Sequence, residues 1–357
     1  MGRKKRTYPR WIKLAFGVGL LLFAVFSVWF GLYIRDNKMS NFRSDVVIFV
    51  SDTTTADQLL AKFRADTHCV NMHSLERAFR KEDLAHRIRV GRYEIKKGHS
   101  SIEVARMIKR GWQKPCRLVL SGLMRTKEDV AAKISAQMMV DSIEIYQALE
   151  DEAFLAQFGF RPDNVFSMIL PDTYEMYWNA TVYEIFRRFY VEYEAYWNEK
   201  RVAKAQKQGL TPLQVSVLAS IVAGETYRKE EYPYVARVYL NRLKKRMKLQ
   251  ACPTICYLYD YRIRRVLKSH LKTESPYNTY LHAGLPPGPI CVPPKACIEA
   301  VLNPAEGNYL YFSANPAFDG TNRFTTSFAE HQKLAREYQK ELTRRQREAR
   351  EGSQAMK

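Results

Sequence analysis

Leu213–Leu249 reads LQVSVLASIVAGETYRKEEYPYVARVYLNRLKKRMKL, and its spacing sets the architecture around it. Thr211-Pro212, just ahead of it, supplies a capping residue and a proline suited to a first helical turn. Leu213, Val217, Leu218, Ile221 and Val222 then recur at the spacing of one buried helix face. Continued, that face reaches Glu225. A carboxylate on an apolar stripe loses hydration, which disfavours its charged form and raises its pKa. Such a group can hold a proton near neutral pH and donate it, so Glu225 is the candidate general acid. Gly224 beside it has no side chain, which would let a bulky ligand approach. A second helix restarts at Tyr232-Pro233 with Val235, Val238, Tyr239 and Leu243 on one face, and the break falls around Glu230.

The chain has 357 residues, room for two or three domains, and 46% apolar with 13% aromatic content fits an ordered globular body. The net charge of +20 admits nucleic acid, an anionic membrane surface or an acidic polymer as partners. Nucleic acid is disfavoured: no zinc-finger spacing or RNA-binding motif accompanies the charge, and the basic residues are spread along the chain.

The N-terminus points to a compartment. MGRKKRTYPR is basic, and residues 14–34 (LAFGVGLLLFAVFSVWFGLYI) carry no charge over a length that spans a bilayer. Trp11 and the Trp29–Tyr33 end place aromatics at the expected interfaces. A cleaved signal peptide would have a shorter apolar region ending in small residues, whereas this one exits through Tyr33-Ile34-Arg35-Asp36. The expectation is an uncleaved single-pass anchor with residues 1–10 cytoplasmic, 11–34 in the cell (inner) membrane, and the rest extracytoplasmic or periplasmic. Cys69, Cys116, Cys252, Cys256, Cys291 and Cys297 could form disulfides there, in a pairing that sequence does not give. Cys252 and Cys256 do not have usual zinc spacing, and no metal or cofactor is expected.

Residues 35–45 read as a linker. Val46–Val50, a capped turn and Ala56–Phe63 form a strand–turn–helix unit, followed by short helices at Leu75–Phe79 and Leu84–Ile88, a strand at Arg92–Ile95 and a helix ended by Gly111. Cys116–Ile134 repeats the strand–turn–helix order. Leu170–Trp178 (LPDTYEMYW) joins a Pro-Asp turn to aromatic residues that suit either a sugar face or a core. Thr181–Gln208 reads as one long helix stopped at Gly209, and Leu249–Thr254 as a polar turn. Gly284–Ile290 (GLPPGPI) is a stiff loop, Tyr309–Phe312 and Arg323–Thr326 are antiparallel strands, and a charged helix from Gln332 to about Glu348 precedes a frayed end.

Taken together, LPDTYEMYW, LASIVAGET (Leu218–Thr226), VYLNRL (Val238–Leu243), SPYNTY (Ser275–Tyr280), GLPPGPI, Asn303–Ala305 and YLYF (Tyr309–Phe312) resemble, in content and order, the endolytic peptidoglycan transglycosylases of the MltG, or YceG-like, family. The resemblance implies an α+β chain: the transmembrane helix, a small LysM-like α/β module over 46–115 that is either a glycan binder or a structural pedestal holding the next domain off the membrane, a mixed α+β catalytic domain over 116–345 with a helical Glu-bearing core, and a disordered tail at 346–357. It places the catalytic Glu at Glu225. The family's usual second Glu, two positions earlier, is Ala223 here, and its usual Asp before Pro-Thr is Cys252.

One carboxyl group is enough for the implied chemistry. Hydrolytic glycosidases generally need two. A lytic transglycosylase protonates the oxygen linking N-acetylmuramic acid to N-acetylglucosamine, and the muramoyl C6 hydroxyl closes on C1 to give a 1,6-anhydro end. The resemblance implies Glu225 as acid and then base, with Gln250, Thr254, Tyr277, Asn278, Asp172 and Tyr174 as substrate-binding residues. Implied partners are peptidoglycan glycan strands and peptidoglycan synthases, with strand termination as the outcome. The competing expectation is a non-catalytic, membrane-anchored peptidoglycan-binding scaffold in wall morphogenesis.

Overall fold

The computed structural model describes residues 9–355, with side chains through Glu348; the basic tail ahead of Pro9 lies outside the described residues. The fold is α+β, with short two-stranded sheets among many helices. Two compact units divide it: the first runs to Cys116 and takes in Glu175–Asn179, and the second holds Arg117–Tyr174 and Ala180 onward.

In the first unit, α1 (Arg10–Asn37) buries none of its residues and is long and apolar enough to cross a membrane. Its polar end is fastened to the module behind it, where Arg77 meets Asp36 at 2.7 Å and the Ser74 hydroxyl donates to the same carboxylate at 2.6 Å. The module runs β1 (Val46–Val50), α2 (Ala56–Ala65), α3 (Met72–Lys81), β2 (Gly91–Ile95) and α4 (Ser101–Arg110). β1 and β2 pair antiparallel from Val46 opposite Ile95 to Val50 opposite Gly91. Ile48 and Val50 turn inward onto Leu59, Phe63, Leu75, Phe79 and Tyr93. Capping boxes at Thr55–Gln58 and Ser100–Glu103 start α2 and α4, and Gly111 ends α4 in the left-handed region at φ 69°. Leu84–Ile88 is not the short helix expected from its spacing. Asp83 takes a φ of 57° and the Leu84 N–H bonds back to the Phe79 carbonyl, so α3 closes in turns with Leu84 buried.

The second unit contains β3 (Cys116–Val119) from Arg117 on, α5 (Lys127–Ser135), α6 (Ser142–Glu150), α7 (Glu152–Ala156), the first two residues of β4 (Thr173–Met176), α8 (Val182–Tyr196), α9 (Glu199–Lys207) and α10 (Pro212–Glu225). It continues with α11 (Tyr232–Lys244), α12 (Cys252–Leu258), α13 (Lys295–Leu302), β5 (Tyr311–Ala314), β6 (Asn322–Thr325) and α14 (Phe328–Ala355). Three sequence expectations give way here. The single helix over Thr181–Gln208 is two, because Asn198 caps α9 by accepting the Arg201 N–H and the chain turns at Trp197. The polar turn before Thr254 is the start of α12, with Pro253 in its first turn. The final helix runs on to Ala355, through residues expected to fray.

α10 organises this unit. The Thr211 hydroxyl accepts the Gln214 N–H, the Gln214 side chain accepts the Thr211 N–H, and Pro212 sits in the first turn. Every residue from Val215 to Ala223 is buried, so the helix is enclosed on all sides and the expected apolar stripe is only part of its buried surface. It packs against α11, α12 and α13. Burying Val217, Leu218, Ile221 and Val222 contributes about 1.5–3 kcal/mol each. A helix held from every side presents its last residue, Glu225, in a fixed place.

Candidate active site

Glu225 closes α10, and Thr226 then leaves the helix in extended conformation at φ −149°. The exit is locked from below. The Thr226 hydroxyl donates to Glu231 at 2.9 Å, and the buried Glu231 carboxylate also accepts the backbone and side-chain N–H groups of Asn322 at 2.6 and 2.7 Å. Arg228 adds hydrogen bonds to the Asp319 and Gly320 carbonyls in the turn between β5 and β6. The chain therefore reverses into α11 without leaving Glu225 free to swing.

Burial pushes the Glu225 carboxyl up to about 7, against a hydrogen bond from Tyr239 and the charge of Arg242, both of which favour the anion. The Tyr239 O–H donates to Oε1 at 2.5 Å. Arg242 is buried on the same helix, its guanidinium donating at 2.7 Å to the carbonyls of Leu249 and Leu310 and lying 5.3 Å from the Tyr311 ring. A carboxyl balanced near neutrality and held by one donor has the properties of a general acid.

Glu225 opens onto a cavity of about 400 Å³ whose wall includes Leu123, Arg125, Tyr227, Cys252, Cys256 and Tyr261. Among the described residues lining it, Glu225 is the one carboxylate. Arg125 crosses the wall with its guanidinium 4.9 Å from the Tyr261 ring and 3.4 Å from the Tyr227 hydroxyl. The Cys252 thiol lies 3.1 Å from the Tyr280 hydroxyl, and burial raises its pKa, so it is neutral at pH 7. Gly224 is exposed and lines the cavity beside Glu225, and its missing side chain also serves the packing. A Cβ there would stand 2.5 Å from Cβ of Pro253, so the glycine permits the close approach of α12 to α10.

The other sequence-derived candidates are not gathered around Glu225. Thr254 is fully buried; its hydroxyl donates to the Ala251 carbonyl at 2.8 Å and meets the Thr279 hydroxyl at 2.9 Å. Asn278 is equally enclosed, its amide donating to the Leu271 and Thr273 carbonyls at 3.1 and 2.8 Å while its oxygen accepts the Tyr280 N–H. Both knit the loop behind the cavity, and neither can touch a glycan in this arrangement. Tyr277 packs on Tyr257 at 4.7 Å and donates to the Asp163 carbonyl at 3.2 Å. Tyr174 is core, buried against Phe189 with its hydroxyl on the Leu170 carbonyl. Asp172 is exposed and paired with Lys295. Gln250 keeps an exposed side chain while its backbone, at φ 49°, donates to the Thr279 carbonyl. None of these six lines the cavity.

The stiff GLPPGPI loop reaches the site through its backbone. The Ile290 N–H donates to the Ser220 hydroxyl at 3.0 Å, and the Tyr261 hydroxyl donates to the Ile290 carbonyl. The residues that sequence reading left without a role are Tyr239, Arg242, Arg125 and Tyr280. A tyrosine on a buried helix face needs a partner for its hydroxyl, and that was the one available signal for Tyr239. All six cysteines are free thiols, so the disulfides that the even count permitted are not formed.

Fold and site define an α+β protein whose central buried helix delivers a single protonatable carboxyl to a cleft. The chain belongs to the YceG-like family, whose pattern matches residues 48–337. A relative from Bacillus subtilis (strain 168) named endolytic murein transglycosylase is 30% identical over 223 residues, which is 58% of this chain and 61% of that protein. Proteins of the same name from Streptococcus pneumoniae (strains D39 and R6) are 30% identical over 115 residues, 31% of this chain and 21% of theirs. The aligned part is thus about three fifths of the Bacillus protein's length and about a fifth of each streptococcal one. The crystal structure of a yceG-like protein from Listeria monocytogenes has the same fold, with a TM-score of 0.54 at 21% identity over 82% of this chain and 99% of that one.

Proposed function

We propose that this protein is a membrane-anchored endolytic lytic transglycosylase that cleaves the β-1,4 bond between N-acetylmuramic acid and N-acetylglucosamine in nascent peptidoglycan. The observation that carries the reading is Glu225, the one carboxyl among the described residues lining the cavity, raised to about 7 and held by Tyr239. Its proton goes to the glycosidic oxygen, and the bond from that oxygen to C1 breaks. The muramoyl C6 oxygen bonds to C1, and its proton returns to the Glu225 carboxylate, leaving a 1,6-anhydro end. Atoms balance without water, and no second carboxylate is needed to activate one. The nucleophile belongs to the same sugar ring, so orientation supplies much of the rate.

In this reading α1 is a single-pass anchor with a cytoplasmic N-terminus, the 46–115 segment is a LysM-like module toward the glycan, and 116–345 is the catalytic domain in the periplasm. Gln250 is the remaining polar candidate for a glycan contact from the loop; Thr254, Tyr277 and Asn278 hold that loop in place. Cutting beside the polymerase would end strand elongation, so peptidoglycan synthases are the expected partners.

The test incubates the full-length protein in detergent micelles with purified peptidoglycan and looks for anhydro-ended muropeptides by mass spectrometry. Wild type releases them and Glu225→Gln does not. No anhydro product from wild type, or equal product from the variant, rejects the reading; wall binding without product would leave a scaffold.

A further inference from the structure

The segment after Tyr261 carries a charge pattern that the chemistry at Glu225 does not use. Arg262, Arg264, Arg265 and Lys268 fall within seven residues that contain no acid, and all four side chains are exposed. None of them has a hydrogen-bond or ion-pair partner among the described residues, although many other exposed cations of this chain, such as Arg64, Lys96 and Arg344, are paired. Clustered like charges repel one another and raise the energy of the compact state. A rim of this kind is retained at a cost, and an anion would relieve it.

Its placement says which anion. Tyr261 and Ile263, alternating with these arginines, both line the cavity that holds Glu225. The segment is also anchored: the Tyr261 hydroxyl is on the Ile290 carbonyl, its N–H donates to Cys256 at 2.8 Å, and the Arg262 N–H donates to Tyr259 at 2.9 Å. Arg125, a further cation without a carboxylate partner, lies against Tyr261 in the same wall. The positive charge therefore sits on residues that alternate with, or directly follow, those walling the cleft.

We propose that this basic rim selects its substrate by binding the free carboxylates of the peptide stems that project from the glycan. This rests on the function proposed above and narrows it: the preferred substrate is a strand whose stems are intact and carry unmodified acids. A neutral sugar backbone alone gives the rim nothing to pair with, whereas stem carboxylates recur at every second sugar. Arginine suits such groups because its planar fork can pair with a carboxylate bidentately.

The test uses uncrosslinked strands with free-acid stems and the same strands after carbodiimide coupling to ammonia, which makes every stem acid a neutral amide of equal length. Binding is measured by co-sedimentation with full-length Glu225→Gln protein in micelles, so the result does not depend on turnover. Free-acid strands bind roughly ten-fold or more tightly than amidated ones, and the gap closes as salt is raised. The triple variant Arg262→Gln/Arg264→Gln/Arg265→Gln, in the Glu225→Gln background, loses the preference, and the corresponding Lys triple variant keeps most of it. Equal binding of both strands, or a preference that survives the Gln triple variant, overturns the proposal even if wild type still makes anhydro ends. A Gln triple variant that instead loses binding to phosphatidylglycerol vesicles, with strand preference unchanged, assigns the rim to a lipid surface and also overturns it.

Discussion

Tyr239 donates its hydroxyl hydrogen to Oε1 of Glu225 at 2.5 Å, joining α11 to the last residue of α10. The bond favours the carboxylate and so opposes the larger effect of burial, which favours the acid. Removing the donor should raise the Glu225 pKa further above 7. If Glu225 is the general acid proposed above, the alkaline limb of kcat/KM in Tyr239→Phe, where that acid would lose its proton, moves to higher pH by about one unit. A pH–rate profile on uncrosslinked strands reads this directly. A limb that moves to lower pH would show that Tyr239 does not act on Glu225 through this bond.

How far could this pair be anticipated? Glu225 was legible because desolvation follows from its apolar neighbours in the chain, and those neighbours are local. The apolar stripe is only part of the buried surface, since Ser216, Ala219, Ser220 and Ala223 are buried as well and small residues leave no periodic mark. Tyr239 was legible as buried but not as a partner, because which tyrosine meets a carboxyl depends on how two helices pack. The start of α10 at Thr211 is readable from its capping pattern. Thr254 and Asn278, which the resemblance implies as ligand contacts, satisfy buried carbonyls instead, a role that depends on tertiary packing and leaves no mark in the local sequence.

Glu225 should also leave a mark on stability. Its folded pKa, about 7, lies above the ordinary value of 4.5, so the folded state binds the proton more tightly than the unfolded chain. That contribution is fully present below about pH 4.5 and is lost as pH rises through 7. Glu225→Gln keeps an acceptor for Tyr239 without the titration. Urea titrations should find the variant gaining on wild type between pH 5 and pH 8 by about 1–2.5 kcal/mol, the upper end being what the shift gives over that window and the lower end allowing for water in the cavity. A variant-to-wild-type difference that is the same at both pH values would remove burial of a neutral acid from the account.

Cys252 stands where the sequence resemblance implies an aspartate, and its pKa is raised by burial and also by the charge of Glu225. Restoring the acid with Cys252→Asp would place a second anion beside the first, and like charge disfavours ionisation. The alkaline limb should move to higher pH in Cys252→Asp and stay in place in Cys252→Ala. If the aspartate variant leaves the limb unmoved, position 252 does not communicate electrostatically with Glu225.

Arg242 tests whether the cleft is held by a buried cation. Its guanidinium satisfies the Leu249 and Leu310 carbonyls on two different segments. Arg242→Met leaves both acceptors without a donor and should lower stability by about 2–4 kcal/mol. Arg242→Lys should recover only part of the loss, because one ammonium cannot reproduce a fork that points two ways. Full recovery by lysine in a thermal melt would mean that charge, not geometry, is what this position supplies.

The stiff loop behind the site gives a steric test. Gly288 packs so closely on the Asp163 carbonyl that a Cβ there would lie within bonding distance of the oxygen, and Tyr277 donates to that same carbonyl. Gly288→Ala must move backbone, so the cost should be at the upper end of overpacking, about 3 kcal/mol or more. It should also lower activity, because the loop carries Ile290, whose N–H is fixed to Ser220 on the helix that bears Glu225. Gly98→Ala is the control, since a Cβ there meets nothing within 4 Å. Melting temperatures should separate the two variants clearly, and a Gly288→Ala protein as stable as Gly98→Ala would mean that the loop can retreat from Asp163 freely. In that case the rigidity of Gly284–Ile290 could not be what holds the cavity wall in place.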